Sequence, residues 1–189
     1  MTPAVAGQRP TDSLFFAVYP DPETAERIET LAQRLREEHR LTGRAFPVSR
    51  LHATLHHLGS HAGLPESLVG AASAAAAAIH MAPFEVTFDR VGSFPGRAHM
   101  PFVLRGGEGA VGLIVLQQLL GEALNAAGLA LREERAYKPH LTLLYDNRRV
   151  REQAIEPIAW TVHELVLVRS VLGRGQHLPI ARWPLQRAE

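Results

Sequence analysis

Two short stretches of this 189-residue chain carry the same pattern of reactive side chains: His52-Ala53-Thr54-Leu55 and His140-Leu141-Thr142-Leu143. In a β-strand, side chains at i and i+2 point to the same face. His52 and Thr54 therefore project together, as do His140 and Thr142, while Ala53, Leu55, Leu141 and Leu143 turn toward apolar packing. Histidine titrates near pH ~6.5, so of two rings facing one substrate atom, one can be neutral and the other protonated. An in-line phosphoryl displacement needs that division: a base for the attacking water and an acid for the leaving oxygen. The threonine hydroxyls can donate hydrogen bonds to the non-bridging oxygens. His52 and His140 are the candidate acid–base pair, and Thr54 and Thr142 the candidate substrate contacts.

The elements around these stretches repeat as well. Leu14–Tyr19 is an apolar and aromatic run that reads as a buried strand, closed by a turn at Pro20, Asp21 and Pro22. Glu23–His39 places Ile28, Leu31 and Leu35 at helical spacing among charges, and Leu51–Leu58 then reads as a strand. Pro65–His80, with its alanine-rich centre, reads as a helix. Phe84–Phe88 and Phe102–Leu104 read as strands, Val111–Ala127 as a helix stopped by Gly128, and Leu141–Tyr145 and Glu164–Leu172 as strands. Asp146–Pro157 is polar and fits a loop or a short helix. His52 follows Phe15 by 37 residues, and His140 follows Val103 by the same interval. That repetition implies two related lobes, each contributing one motif strand.

Composition narrows the classes further. Hydrophobic residues make up 46% of the chain and charged residues 21%, ample for a core in one domain. No apolar run reaches roughly 18 residues, so no membrane association is expected. Residues 1–12 read as a flexible tail without the features of a signal peptide, and residues 13–189 as a single domain. Cysteine is absent, which removes disulfides and thiolate chemistry and is compatible with a cytoplasmic location. The formal charge of +1 is small for a protein that coats long nucleic acids, but a short nucleotide end in a cleft fits it. Lys138 is the sole lysine, so arginine carries nearly all the positive charge. Its donor fork suits phosphate.

The paired motifs resemble the two-histidine phosphoesterase superfamily, and within it the bacterial RNA 2′,3′-cyclic phosphodiesterases, also called 2′-5′ RNA ligases. The resemblance extends through LFFAVYP, LHATLHHLG, GEALNAAG, YKPHLTLLYD and VRSVLGRG…RWPL, from Leu14 to Leu185. It implies a bilobal α+β fold with pseudo-twofold symmetry, antiparallel sheets lining a central groove and helices outside. It implies His52 as proton donor to the leaving ribose oxygen, His140 as the base that activates water, and Thr54 and Thr142 as phosphate contacts. The implied reaction opens a terminal 2′,3′-cyclic phosphate to a 2′-phosphate; run backward it joins RNA ends. The implied partners are RNA ends or small cyclic nucleotides, met by a monomer that needs no cofactor. Many members carry an arginine shortly after the second motif, where this chain has Tyr145.

Other readings compete locally. His56, His57 and His61 raise a metal site, but no glutamate completes an HExxH arrangement, and no metal is expected. His56 is placed beside Thr54 in the groove, and His57 and His61 at the surface or just behind the groove-lining residues. Tyr137, Tyr145 and Phe46 are candidates for stacking on a base. Gly107–Gly112 matches GxGxxG with Glu133 some 20 residues on. It supports an alternative: a nucleotide- or dinucleotide-binding module without chemistry.

Overall fold

A computed structural model describes residues 9–129 and 137–187. The elements run β1 (Asp12–Val18), α1 (Pro22–Glu38), β2 (Ala53–His61), α2 (Glu66–Ala77), β3 (Phe84–Ser93), β4 (Met100–Arg105), α3 (Val111–Ala126), β5 (His140–Asp146), β6 (Gln153–Val162), β7 (Glu164–Val171) and β8 (Gln176–Pro184). Helix α1 starts where its sequence dictates. Asp21 caps it by accepting from the Thr24 amide at 2.9 Å, with Pro22 in the first turn. Its Ile28, Leu31 and Leu35 are buried. The segment Glu108–Ala126 has the length and apolarity of a membrane span. Here Leu113, Leu116, Leu120 and Leu124 are fully buried against the rest of the chain, so it serves as a core helix.

The strands form two four-stranded sheets, β2-β1-β7-β8 and β5-β4-β3-β6, with every pairing antiparallel. This is the α+β, two-lobed architecture expected. The chain builds β1 and β2 in the first sheet, makes the whole second sheet, and returns for β7 and β8. One hydrophobic core joins the helices to both sheets, including Phe16, Leu55, Phe88, Phe102, Leu116 and Leu143. A smaller cluster of Phe15, Ala17, Val166 and Val168 lies apart from it, with Tyr19 packed against it. The two motif strands, β2 and β5, are both edge strands and approach within 8 Å between Cα atoms.

The structure corrects several expectations. The equal interval of 37 residues is a coincidence of counting. In the ladders Thr54 lies opposite Ala17 and Thr142 opposite Val103, so Ala17, not Phe15, is the mate of Val103. Asp146–Pro157 contains no helix; Gln153 onward is strand β6. Pro157 obscured it, but β6 is an edge strand whose ladder with β3 is irregular between Phe88 and Arg90, where proline is tolerated. Strand β8, with Pro179 and Pro184, is likewise an edge strand that its composition does not mark. The expected tail lies largely outside the described residues, but Thr11 and Asp12 are anchored. The Thr11 amide donates to the His61 carbonyl at 2.8 Å, and buried Asp12 pairs with Arg169 at 2.6 Å.

Candidate active site

Each motif strand contains a β-bulge at the same place. Between Thr54 and His56 the ladder to β1 slips, leaving Leu55 unpaired, and between Thr142 and Leu144 the ladder to β4 leaves Leu143 unpaired. A bulge resets the alternation of side chains. Leu55 and His56 are both buried, as are Leu143 and Leu144, and the exposed positions resume at His57 and Tyr145. This corrects the placement of His56. Its ring turns into the core, where Nε2 donates to the Gln117 carbonyl of α3 at 2.7 Å. His57 is exposed and its Nε2 meets Ser13 Oγ at 2.7 Å, while His61 Nε2 reaches the Leu58 carbonyl. Among the described residues no group of three metal-binding side chains assembles.

The two motif histidines are oriented alike. His52 Nδ1 lies 2.7 Å from the Arg50 carbonyl, and His140 Nδ1 lies 2.7 Å from the Lys138 carbonyl. A carbonyl only accepts, so Nδ1 carries the proton in each ring and Nε2 is the nitrogen with a lone pair able to take one up. Each ring also leans on a phenylalanine. His52 stacks on Phe15 at 5.0 Å, and His140 meets the edge of Phe94 at 4.8 Å. Around His52 stand His177, edge-on at 5.0 Å, and Tyr19 at 5.8 Å. Burial pulls His52 down to about 4, assisted by the charges of His177, Arg50 and His140. Burial likewise lowers His177 to about 4 and raises the Tyr19 phenol to about 12. The influence of His140 on His52 places the two rings in one electrostatic neighbourhood. Thr54 and Thr142 are half-buried, and among the described residues no partner takes up either hydroxyl.

The lobes staple each other's motif strand. The Phe46 amide donates to the Leu143 carbonyl at 2.8 Å, filling the open edge of β5 at its bulge. In return the Tyr137 hydroxyl donates to the Thr54 carbonyl at 2.9 Å on β2. Asp146, at the end of β5, accepts from the amides of Thr42 and Gly43 at 2.6 and 2.7 Å and from that of Arg148 at 2.7 Å. Edge strands left unpaired invite foreign pairing; here the same bonds fix the separation of the two motifs. Tyr137 therefore has a positioning role. Phe46 carries the Arg50 guanidinium on its face at 3.8 Å, and its ring lies 5.9 Å from that of Tyr145, which is 45% exposed.

The glycine-rich loop serves packing. A Cβ at Gly112 would lie 2.2 Å from the Phe84 ring, and one at Gly109 would lie 2.8 Å from Thr87. With every strand pairing antiparallel, no parallel βαβ unit exists among the described residues to form a dinucleotide crevice. Glu133 lies outside the described residues. Arg50, His177 and Phe94 escaped the sequence reading, because nothing in their local context marks them as neighbours of the motifs. Only the repeated i−2 cation, Arg50 before His52 and Lys138 before His140, offered a clue.

Two antiparallel lobes, each presenting a His-x-Thr edge strand at a common seam, define the two-histidine phosphoesterase class. Residues 20–174 match the sequence model of the 2′-5′ RNA ligase superfamily, and the chain belongs to that family. Escherichia coli LigT in its apo form is similar over 95% of this chain and 100% of LigT, at 28% identity and a TM-score of 0.73. A LigT structure complexed with 3′-AMP gives 26% identity and a TM-score of 0.71 with the same coverage. The fold is also shared with TT0787 of Thermus thermophilus, at 22% identity, 94% and 100% coverage and a TM-score of 0.75. No curated protein sequence matches the chain.

Proposed function

We propose that this protein is an RNA 2′,3′-cyclic phosphodiesterase that produces a 2′-phosphate, with His52 and His140 as its acid–base pair. The observation that supports the reading is the matched anchoring of both rings through Nδ1, which makes Nε2 the proton-exchanging nitrogen of each. Water attacks phosphorus as His140 Nε2 takes its proton. The bond from phosphorus to the ribose O3′ breaks, and His52 Nε2–H protonates that oxygen. Thr54 and Thr142 donate to the non-bridging oxygens. With a ribose 5′-hydroxyl in place of water as the nucleophile, the same displacement breaks the bond to O3′ and leaves a 2′-5′ linkage. The 3′-AMP held by LigT supports a ribonucleotide as ligand.

Burial adds a condition. Before substrate binds, His52 is neutral at pH 7, because its pKa is about 4. The negative charge of the phosphodiester stabilises the imidazolium, so substrate binding itself loads the acid. The test is turnover of an RNA ending in 2′,3′-cyclic phosphate, with product analysis that separates 2′- from 3′-phosphate. His52→Ala and His140→Ala should each lower turnover by about 10²–10⁴. An activated aryl phosphodiester, whose leaving group needs no proton, should rescue His52→Ala and not His140→Ala. Rescue of the other variant reverses the roles; two folded variants of near full activity overturn the assignment.

A further inference from the structure

Four buried polar side-chain atoms lack a hydrogen-bond partner among the described residues: Tyr19 Oη, Arg50 Nε, His177 Nδ1 and Trp160 Nε1. The Trp160 ring is stacked on Phe88 in the core. The other three belong to residues gathered around His52. The rings of Tyr19 and His177 lie 5.8 and 5.0 Å from it, and the Arg50 carbonyl holds its Nδ1. Buried polar groups are normally satisfied, so a cluster of incomplete ones beside a reactive ring marks the place of a polar ligand.

Arg50 determines the sign of that ligand. Like most of the described arginines, Arg50 pairs with no carboxylate, but it differs from them in standing beside His52 with a buried Nε that has no hydrogen-bond partner. Its guanidinium is fixed by stacking 3.8 Å over Phe46, and it retains its charge at any working pH. A Cβ at Gly175 would sit 3.6 Å from Nη1, at van der Waals distance, so the fork lies beside the β7–β8 turn. Arg50 also interacts electrostatically with His52 and His177 on its own lobe and with Tyr145 on the other. It therefore stands at the seam, near the position from which the arginine expected after the second motif is missing.

Building on the phosphodiesterase reading, we propose that Arg50 binds the non-bridging phosphate oxygens of the substrate, supplying from the first lobe the cation that Tyr145 does not. The planar fork can grip two oxygens at once while Thr54 and Thr142 donate from the strands. Once the phosphate neutralises Arg50, the repulsion that this guanidinium exerts on a protonated His52 is relieved. Anchoring the phosphate and charging the acid are thus one event.

The experiment measures inorganic phosphate binding to the full chain at the His52 imidazole NMR resonances, at pH 7 and fixed ionic strength. Wild type is compared with R50M and R50K, each checked for an unchanged melting midpoint. R50M keeps an apolar stem on Phe46 and removes the charge. It should weaken phosphate binding by roughly 10–100-fold, the loss of a charge-assisted hydrogen bond. R50K, with its charge retained, should bind more tightly than R50M. An R50M protein that binds phosphate within about twofold of wild type overturns the proposal, as does an R50K protein no better than R50M. Phosphate binding is read without turnover. Retained activity with unchanged phosphate binding in R50M therefore refutes Arg50 alone, whereas wild type that binds phosphate but hydrolyses no cyclic ester refutes the phosphodiesterase reading.

Discussion

The burial of His52 makes folding stability depend on pH in a way a single substitution can isolate. The ring has an ordinary pKa of 6.5 in the unfolded chain and about 4 in the folded one. Between these values the unfolded state binds a proton that the folded state refuses. Stability is therefore undiminished above about pH 6.5, falls as the pH drops toward 4, and falls no further on this account below it. A shift of that size is worth on the order of 3 kcal/mol in full, most of it lost by pH 4.5. His52→Gln removes the titrating group. Denaturant unfolding at pH 7 and pH 4.5 should show the wild type losing on the order of 2–3 kcal/mol more than the variant between the two conditions. The carboxylates titrate in both proteins and cancel in the difference; because His177 interacts with His52, the comparison is made in a His177→Gln background. Equal losses in wild type and variant would refute both the burial argument and the claim that substrate must load the acid. A second readout sharpens the test: phosphate should raise the pKa of the His52 ring, read from its NMR titration with and without phosphate.

Two further substitutions test how the lobes are held together. At Gly43 a Cβ would lie 1.9 Å from the Tyr145 carbonyl oxygen, so Gly43→Ala must push β5 away, costing about 3 kcal/mol and lowering activity with it. A Gly43→Ala protein with wild-type melting and turnover would show that this contact does not set the spacing of the motifs. Burial opposes ionisation of Asp146, but the amides of Arg148, Gly43 and Thr42 hold its carboxyl below the usual range. Asp146→Asn presents one oxygen where donors converge on two, and should cost roughly 2–3 kcal/mol at pH 7, with a smaller deficit in acid where the wild-type carboxyl is itself protonated. A deficit independent of pH would contradict the charge-assisted account.

The amino-acid sequence by itself determined what depends on local periodicity and residue type. Alternation placed His52 with Thr54 and His140 with Thr142, and the same alternation identified Leu55, Leu141 and Leu143 as core. Helical spacing in α1 and α3 identified the faces that are buried, and Asp21 with Pro22 identified where α1 begins. Tertiary structure decided everything that depends on which strand lies beside which. The bulges at Leu55 and Leu143 arise in the ladders to β1 and β4, so no count along one strand could show that His56 turns inward while Tyr145 faces out. Strands β6 and β8 tolerate their prolines because they are edges, a property of sheet order rather than of composition. Arg50, His177 and Phe94 reach the motif histidines from a 3₁₀ turn, from β8 and from the loop between β3 and β4. The pKa of His52 has the same origin: a histidine is an ordinary base in sequence, and only the packing of Phe15 and His177 against it removes the water that would stabilise its charge.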